Sequence, residues 1–312
     1  MTATGIYVTS EGERELRERH QELLTRWPVP SERLRIPTRE GETFVIASGP
    51  PQAPPLLLLH GSSTTCVMWL GDVATWAPHF RVYAVDLIGE PGLSAPSRPP
   101  LGSEAYALWL DDVLEGLGLS RVSLVGASLG GWLAVDYAIR RPGRVERLAL
   151  LSPGGIGRQK AGFAVKALFL LPFGERGRRR LLTMVMGGAT PDARLAAYLD
   201  YATQISRHFR PRRQRLPVFG DDALGGLTMP VLVILGGRDV MLDSRDTERR
   251  MRHLVRHATL RYLPDAPHGL RGHAEPILAF LRDSPVRGTR SAPHPEGTGR
   301  RQSDVGPGRA AP

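Results

Sequence analysis

The sequence predicts an α/β fold: a doubly wound, mostly parallel sheet with an inserted helical cap. Three observations predict it. First, short aliphatic runs alternate with segments of helical periodicity from about residue 56 to residue 151, and again from residue 229 to residue 281. Such runs suit strands buried on both faces, and their alternation with helices marks parallel crossover units. Second, the alternation lapses between about Gly155 and Leu227, where helical patterns recur with no clear buried strand. Third, Val122 to Val125 lead through Gly126-Ala127-Ser128-Leu129-Gly130 directly into a helical pattern. A serine on so sharp a strand-to-helix turn needs neighbours without bulk, and it stands at a helix N-terminus that favours negative charge.

The bulk numbers bound the class. The chain has 312 residues, 41% of them hydrophobic and 23% charged, which reads as a soluble globular protein with one large core or two ordinary ones. The longest apolar candidate, Phe163 to Phe173, contains Lys166 and falls short of the roughly 20 residues of a spanning helix. The N-terminus lacks the charged and apolar regions of a secretory signal, and the one cysteine, Cys66, excludes an internal disulfide. A cytoplasmic location is the expectation. The net charge of +10 rests on 41 basic residues of which only two are Lys, and no nucleic-acid reading motif accompanies them. The expected partner is a small-molecule substrate rather than a nucleic acid.

Taken in order, residues 1–30 form an N-terminal extension. Ser10 and Glu13 suggest a capping box, and Leu16, His20, Leu23, Leu24 and Trp27 recur at helical spacing. The core comprises residues 31–155 and 228–283. Strands are expected near 34–37, 43–47, 56–59, 82–85, 122–125, 145–151, 231–235 and 259–263, and helices near 68–77, 103–117, 129–141, 244–255 and 275–281. Residues 156–227 form the cap, with helical patterns at 163–171, 181–186 and 195–205. Residues 284–312 hold Gly, Pro, Ser and Arg with hardly an apolar side chain, the composition of a disordered tail.

A serine hydroxyl needs a base within hydrogen-bond reach, itself oriented by an acid. The strand over 231–235 ends in Gly236-Gly237-Arg238-Asp239, and the strand over 259–263 runs into Pro264-Asp265-Ala266-Pro267-His268. A carboxylate and an imidazole therefore follow the serine on loops at the carboxyl edge of the sheet, where open α/β sheets bind ligands. With Gly126-Ala127-Ser128-Leu129-Gly130, this order resembles the serine hydrolases of the α/β-hydrolase superfamily, close to carboxylesterase-like members with a helical cap. The likeness spans about residues 30 to 283. It implies Ser128 as nucleophile, Asp239 as acid and His268 as general base. It also implies an oxyanion hole made by the backbone N–H groups of Ser62 and Leu129. Many relatives carry Asp-x-x-Gly-x-Gly-x-Ser after the fourth strand. Here Glu90-Pro91 adds one residue between the glycines, which is expected to reshape the pocket rim.

Competing assignments are weighed on the same positions. Ser128 could be a helix cap, Asp265 is the rival acid, and His60 is expected to hold the oxyanion loop. Cys66 reads as a small buried hydrophobe, and His253 with His257 as a solvated face. Trp69, Trp132 and Phe163 are candidates for the substrate pocket. The expected reaction is hydrolysis of a carboxylic ester of an apolar acyl group, with neither a cofactor nor a metal. The alternatives are perhydrolysis, acyl transfer or C–C hydrolysis by the same residues, or a non-catalytic binding protein. Between Arg158 and Arg215 thirteen basic residues face three acids. They cluster outside Phe163–Phe173, so an apolar underside facing Ser128 and a basic outer face are expected.

Overall fold

Leu56 to Leu59, Val82 to Val85 and Leu148 to Leu151 are buried runs that only a sheet covered on both faces can accommodate. The computed structural model describes residues 5–188, 193–212 and 214–283. In it these runs lie in an eight-stranded sheet. The strands are β1 (Ser31–Ile36), β2 (Thr43–Ser48), β3 (Pro55–Leu59), β4 (Arg81–Val85), β5 (Val122–Ala127), β6 (Val145–Leu151), β7 (Val231–Gly236) and β8 (Thr259–Leu263). Their order is β1-β2-β4-β3-β5-β6-β7-β8, with β2 antiparallel to both β1 and β4 and every other pair parallel.

Because side chains alternate along a strand, the central strands feed two cores. Leu57, Leu59, Leu124 and Val233 pack with α3 (Ala105–Gly116), α4 (Leu129–Arg140) and α9 (Ser244–Leu254) on one face. Leu56, Leu58, Val125 and Ile234 pack with α1 (Ser10–Leu24), α2 (Val73–Trp76) and α10 (Ala274–Arg282) on the other. The helix expected over residues 68–77 is instead a 3-10 turn over Cys66–Gly71 followed by the single turn of α2. Helix α1 starts as expected at Ser10, but its cap is Thr9, whose side chain accepts the Gly12 N–H at 3.0 Å.

Between β6 and β7 the chain forms α5 (Ala161–Leu170), α6 (Gly174–Val185), α7 (Ala193–His208) and α8 (Asp221–Gly225). Helix α5 packs on α6, α6 on α7, and α7 on α1. The expected apolar underside does not form. Leu168, Phe169 and Phe173 are 72%, 68% and 72% exposed, because α6 rather than the sheet covers the other side of α5. Among the described residues no helix is long and apolar enough to cross a membrane. The tail expected over residues 284–312 lies outside the described residues.

Candidate active site

Strand β5 ends at Ala127, and Ser128 turns the chain into α4 with φ 51° and ψ −108°. That conformation costs an L-residue on the order of 1–3 kcal/mol, so the surroundings must enforce it. Close packing does so. A Cβ on Gly130 would meet the Leu59 carbonyl oxygen at 2.1 Å, so only glycine lets α4 begin this near to β3. The Ser128 amide is donated to the Leu151 carbonyl at 3.0 Å, which ties the turn to β6.

The loops after β7 and β8 bring the other two groups to this point. A Cβ on Gly236 would meet the Pro267 carbonyl oxygen at 2.1 Å, so these loops pack backbone to backbone. Asp239 is buried. Its Oδ1 accepts the N–H groups of Met241 and Leu242 at 2.7 and 2.8 Å, which leaves Oδ2 for His268 Nδ1 at 2.7 Å. A carboxylate only accepts, so Nδ1 carries the proton, and the lone pair of Nε2 faces Ser128 Oγ at 3.1 Å. Asp265, the rival acid, lies in solvent and pairs with Arg238 at 2.6 Å.

The loop after β3 borders the same point. His60 is fully buried, donates from Nδ1 to the Gly61 carbonyl at 2.7 Å and accepts the Leu87 N–H on Nε2 at 2.9 Å. Burial pushes its pKa down to about 4, so it holds the loop as a neutral ring. The Gly61 N–H points to Met68 Sδ at 3.4 Å, and the Ser63 N–H donates to Glu90 Oε2 at 2.6 Å. The amides of Ser62, between them, and of Leu129 have no intramolecular acceptor among the described residues.

Two features escaped the sequence reading. Glu90 lies in the loop expected to reshape the pocket rim, and its burial was not foreseen. It is 1% exposed against the Ser62-Ser63 turn, with Oε1 unpartnered among the described residues. Burial pushes its carboxyl up to about 7, against the pull of the Ser63 N–H, Arg98 and Arg212. The extra residue in its loop was the available signal. The second is a buried pair, His20 Nε2 to Asp86 Oδ2 at 2.9 Å, with Thr65 Oγ1 on the other ring nitrogen at 3.0 Å. Burial opposes the charge on Asp86, but His20, His60 and the Cys66 N–H outweigh it and hold the carboxyl well below the usual range. His20 was legible only as one more position on the apolar face of α1. His20, Asp86 and buried Cys66 come close enough to suggest a metal site. Their donors already serve one another, and burial keeps Cys66 a thiol by pushing its pKa up.

The three pocket candidates are not brought together. Trp69 packs against Trp76 in one core, Trp132 stacks on Phe219 in the other, and Phe163 is half-buried on α5. Met186 lies beside Gly269, next to His268, and Leu216 beside Gly154, whose N–H donates to the Ser128 carbonyl at 3.1 Å.

Known proteins resemble this chain over most of its length. Residues 56–282 match the model of the alpha/beta hydrolase family. Carboxylesterase YbfK of Bacillus subtilis (strain 168) is 33% identical over 242 residues, covering 76% of this chain and 81% of that relative. The crystal structure of this carboxylesterase, CesB (YbfK), superimposes with a TM-score of 0.77 at 30% identity, covering 87% of this chain and 99% of that one. The naproxen esterase of Bacillus subtilis gives a TM-score of 0.75 at 30% identity, covering 88% and 97%. With the eight-stranded order and the family match over most of its length, the chain belongs to the α/β-hydrolase family and is a hydrolase related to carboxylesterases.

Proposed function

We propose that this hydrolase cleaves a carboxylic ester of an apolar acyl group through an acyl-enzyme on Ser128. The observation that carries the reading is the continuous path from Asp239 through His268 to Ser128, at 2.7 and 3.1 Å. In the first half-reaction His268 Nε2 takes the proton of Ser128 as Oγ attacks the ester carbonyl. Asp239 keeps Nδ1 protonated and stabilises the imidazolium. The Ser62 and Leu129 amides receive the oxyanion, a contribution often worth about 3–4 kcal/mol per donor. His268 then protonates the leaving alkoxide. Water, deprotonated by the same nitrogen, releases the acid.

Helices α5 to α8, within residues 156–227, serve as the cap over this site. Met186 and Leu216 approach the reacting residues from that segment, which supports an apolar acyl group as the favoured substrate. An uncharged chain gains roughly 0.8 kcal/mol per methylene buried there. The carboxylesterase names of the relatives support the same bond class. The test is labelling with a fluorophosphonate, followed by a panel of aryl esters of increasing chain length. Labelling at Ser128, with kcat/KM rising along the panel, is expected. An unlabelled protein that turns over none of the esters would refute the reading.

A further inference from the structure

Among the described residues, most of the large apolar side chains that the fold leaves exposed sit on one short hairpin. Val165, Leu168, Phe169, Leu171 and Phe173 are 47–72% exposed, and they make up five of the seven large apolar side chains exposed among the described residues. Val165, Leu168 and Phe169 share one face of α5 by their i, i+3, i+4 spacing, and Leu171 and Phe173 extend it through the turn into α6. Scattered exposed apolar residues need no explanation, but a contiguous group of aromatic and leucine side chains marks a contact surface. The neighbouring helix supplies charge of one sign. Arg176, Arg179 and Arg180 fall on the exposed face of α6, opposite its buried Gly177 and Leu181, and Lys166 projects from α5 itself. Among the described residues none of the four pairs with a carboxylate, and the nearby acid Glu175 is bound to Arg207 at 2.8 Å.

We propose that the α5–α6 hairpin is a docking surface for an anionic phospholipid bilayer. The leucine and phenylalanine side chains enter the boundary between headgroups and acyl chains while the arginines and Lys166 meet lipid phosphates, the division of labour of an interfacial helix. Charge complementarity selects this occupant. A second copy related by two-fold symmetry would bring the same arginines against one another, a juxtaposition that costs binding energy. The placement also gives docking a consequence. At the start of α5, Lys160 donates from its backbone N–H to the Met241 carbonyl at 2.8 Å and from Nζ to the Asp239 carbonyl at 2.7 Å. At the end of α6, the Val185 carbonyl accepts the Gly269 N–H at 3.0 Å. The hairpin is thus fastened at both ends to the loops that carry Asp239 and His268, so a docked enzyme holds its site beside the lipid surface.

The proposal goes beyond ester cleavage and is tested by binding, without turnover. The full chain is sedimented with vesicles of phosphatidylglycerol and phosphatidylcholine, and separately with vesicles of phosphatidylcholine alone. Binding to the anionic vesicles is expected, weakening several-fold at about 0.5 M salt, where screening shortens to about 4 Å. The triple variant Leu168→Ser, Phe169→Ser, Phe173→Ser should lower the partition coefficient by at least about a hundredfold. The second variant, Arg176→Glu, Arg179→Glu, Arg180→Glu, should remove the preference for anionic lipid. Both variants should keep the circular dichroism and the soluble-ester turnover of the parent. The proposal is overturned if the parent ignores anionic vesicles, or if either variant binds them as the parent does. Light scattering that finds a dimer, split by the serine variant, would assign the face to a second copy and overturn it equally.

Discussion

Glu90 accepts the Ser63 N–H through Oε2 at 2.6 Å, one residue from the Ser62 amide proposed to hold the oxyanion. Burial pushes its carboxyl up to about 7, so it passes from neutral to charged near neutral pH. Like charges a few ångströms apart in a protein interior repel by on the order of 1 kcal/mol or more, which Arg98 and Arg212 reduce here. Turnover should therefore fall several-fold as pH rises through about 7 and Glu90 ionises. Glu90→Gln keeps an acceptor for Ser63 and should lack the descending limb. A kcat–pH profile of both proteins checks this, and an identical descending limb in the variant would contradict it.

The same titration is linked to stability. The folded pKa of Glu90 lies above its unfolded value of about 4.3, so the folded state binds the proton more tightly. That contribution is complete below about 4.3 and is lost as pH climbs to about 7, with little change beyond. Over this window the parent should lose on the order of 3 kcal/mol relative to Glu90→Gln. Urea unfolding of the pair at both ends of the window reads the difference.

Asp239→Asn should reduce kcat by about 10⁴, because an amide can present its N–H to His268 and favour the wrong tautomer. Asp265→Asn should leave kcat within about twofold, since its carboxylate meets only Arg238 in solvent. Steady-state kinetics on a short-chain aryl ester separates the two, and a reversed result would move the acid to residue 265.

Ser128→Ala should abolish ester turnover while the protein stays folded. Ser128→Gly should abolish it too and yet be at least as stable as the parent. A serine at φ 51° is strained and glycine is not, so the relief of about 1 kcal/mol opposes the usual cost of added chain freedom. Thermal unfolding of the three proteins tests this. A marked drop in melting temperature for the glycine variant would count against strain at the turn.

His20→Ala should cost about 3–5 kcal/mol, because it leaves the Asp86 carboxylate buried without its imidazole partner. Glu22→Ala, on the exposed side of the same helix, should stay within about 0.5 kcal/mol. Denaturant unfolding distinguishes them, and equal small losses would show that α1 is held by its apolar face alone.

Much of this protein could be read along the chain because its determinants are local. Buried aliphatic runs at strand length, the glycines flanking Ser128 and the ends of β7 and β8 each act within a few residues. They sufficed to place the sheet and to nominate Ser128, Asp239 and His268. The boundaries shifted where a neighbour only one residue away competed, as when Thr9 rather than Ser10 capped α1. What the tertiary structure decided depends on partners far apart in sequence. Periodicity reports that α5 is apolar, but which side of it faces water depends on α6 and α7 taking the other side. Glu90 was visible as an added residue, yet its burial against Ser63 follows from the packing of the loops after β3 and β4. His20 and Asp86 lie 66 positions apart, and nothing local distinguishes a histidine on an apolar helix face from one that hydrogen-bonds a buried carboxylate. Charge burial is a property of the whole packed interior, so its energy is settled only when distant elements meet.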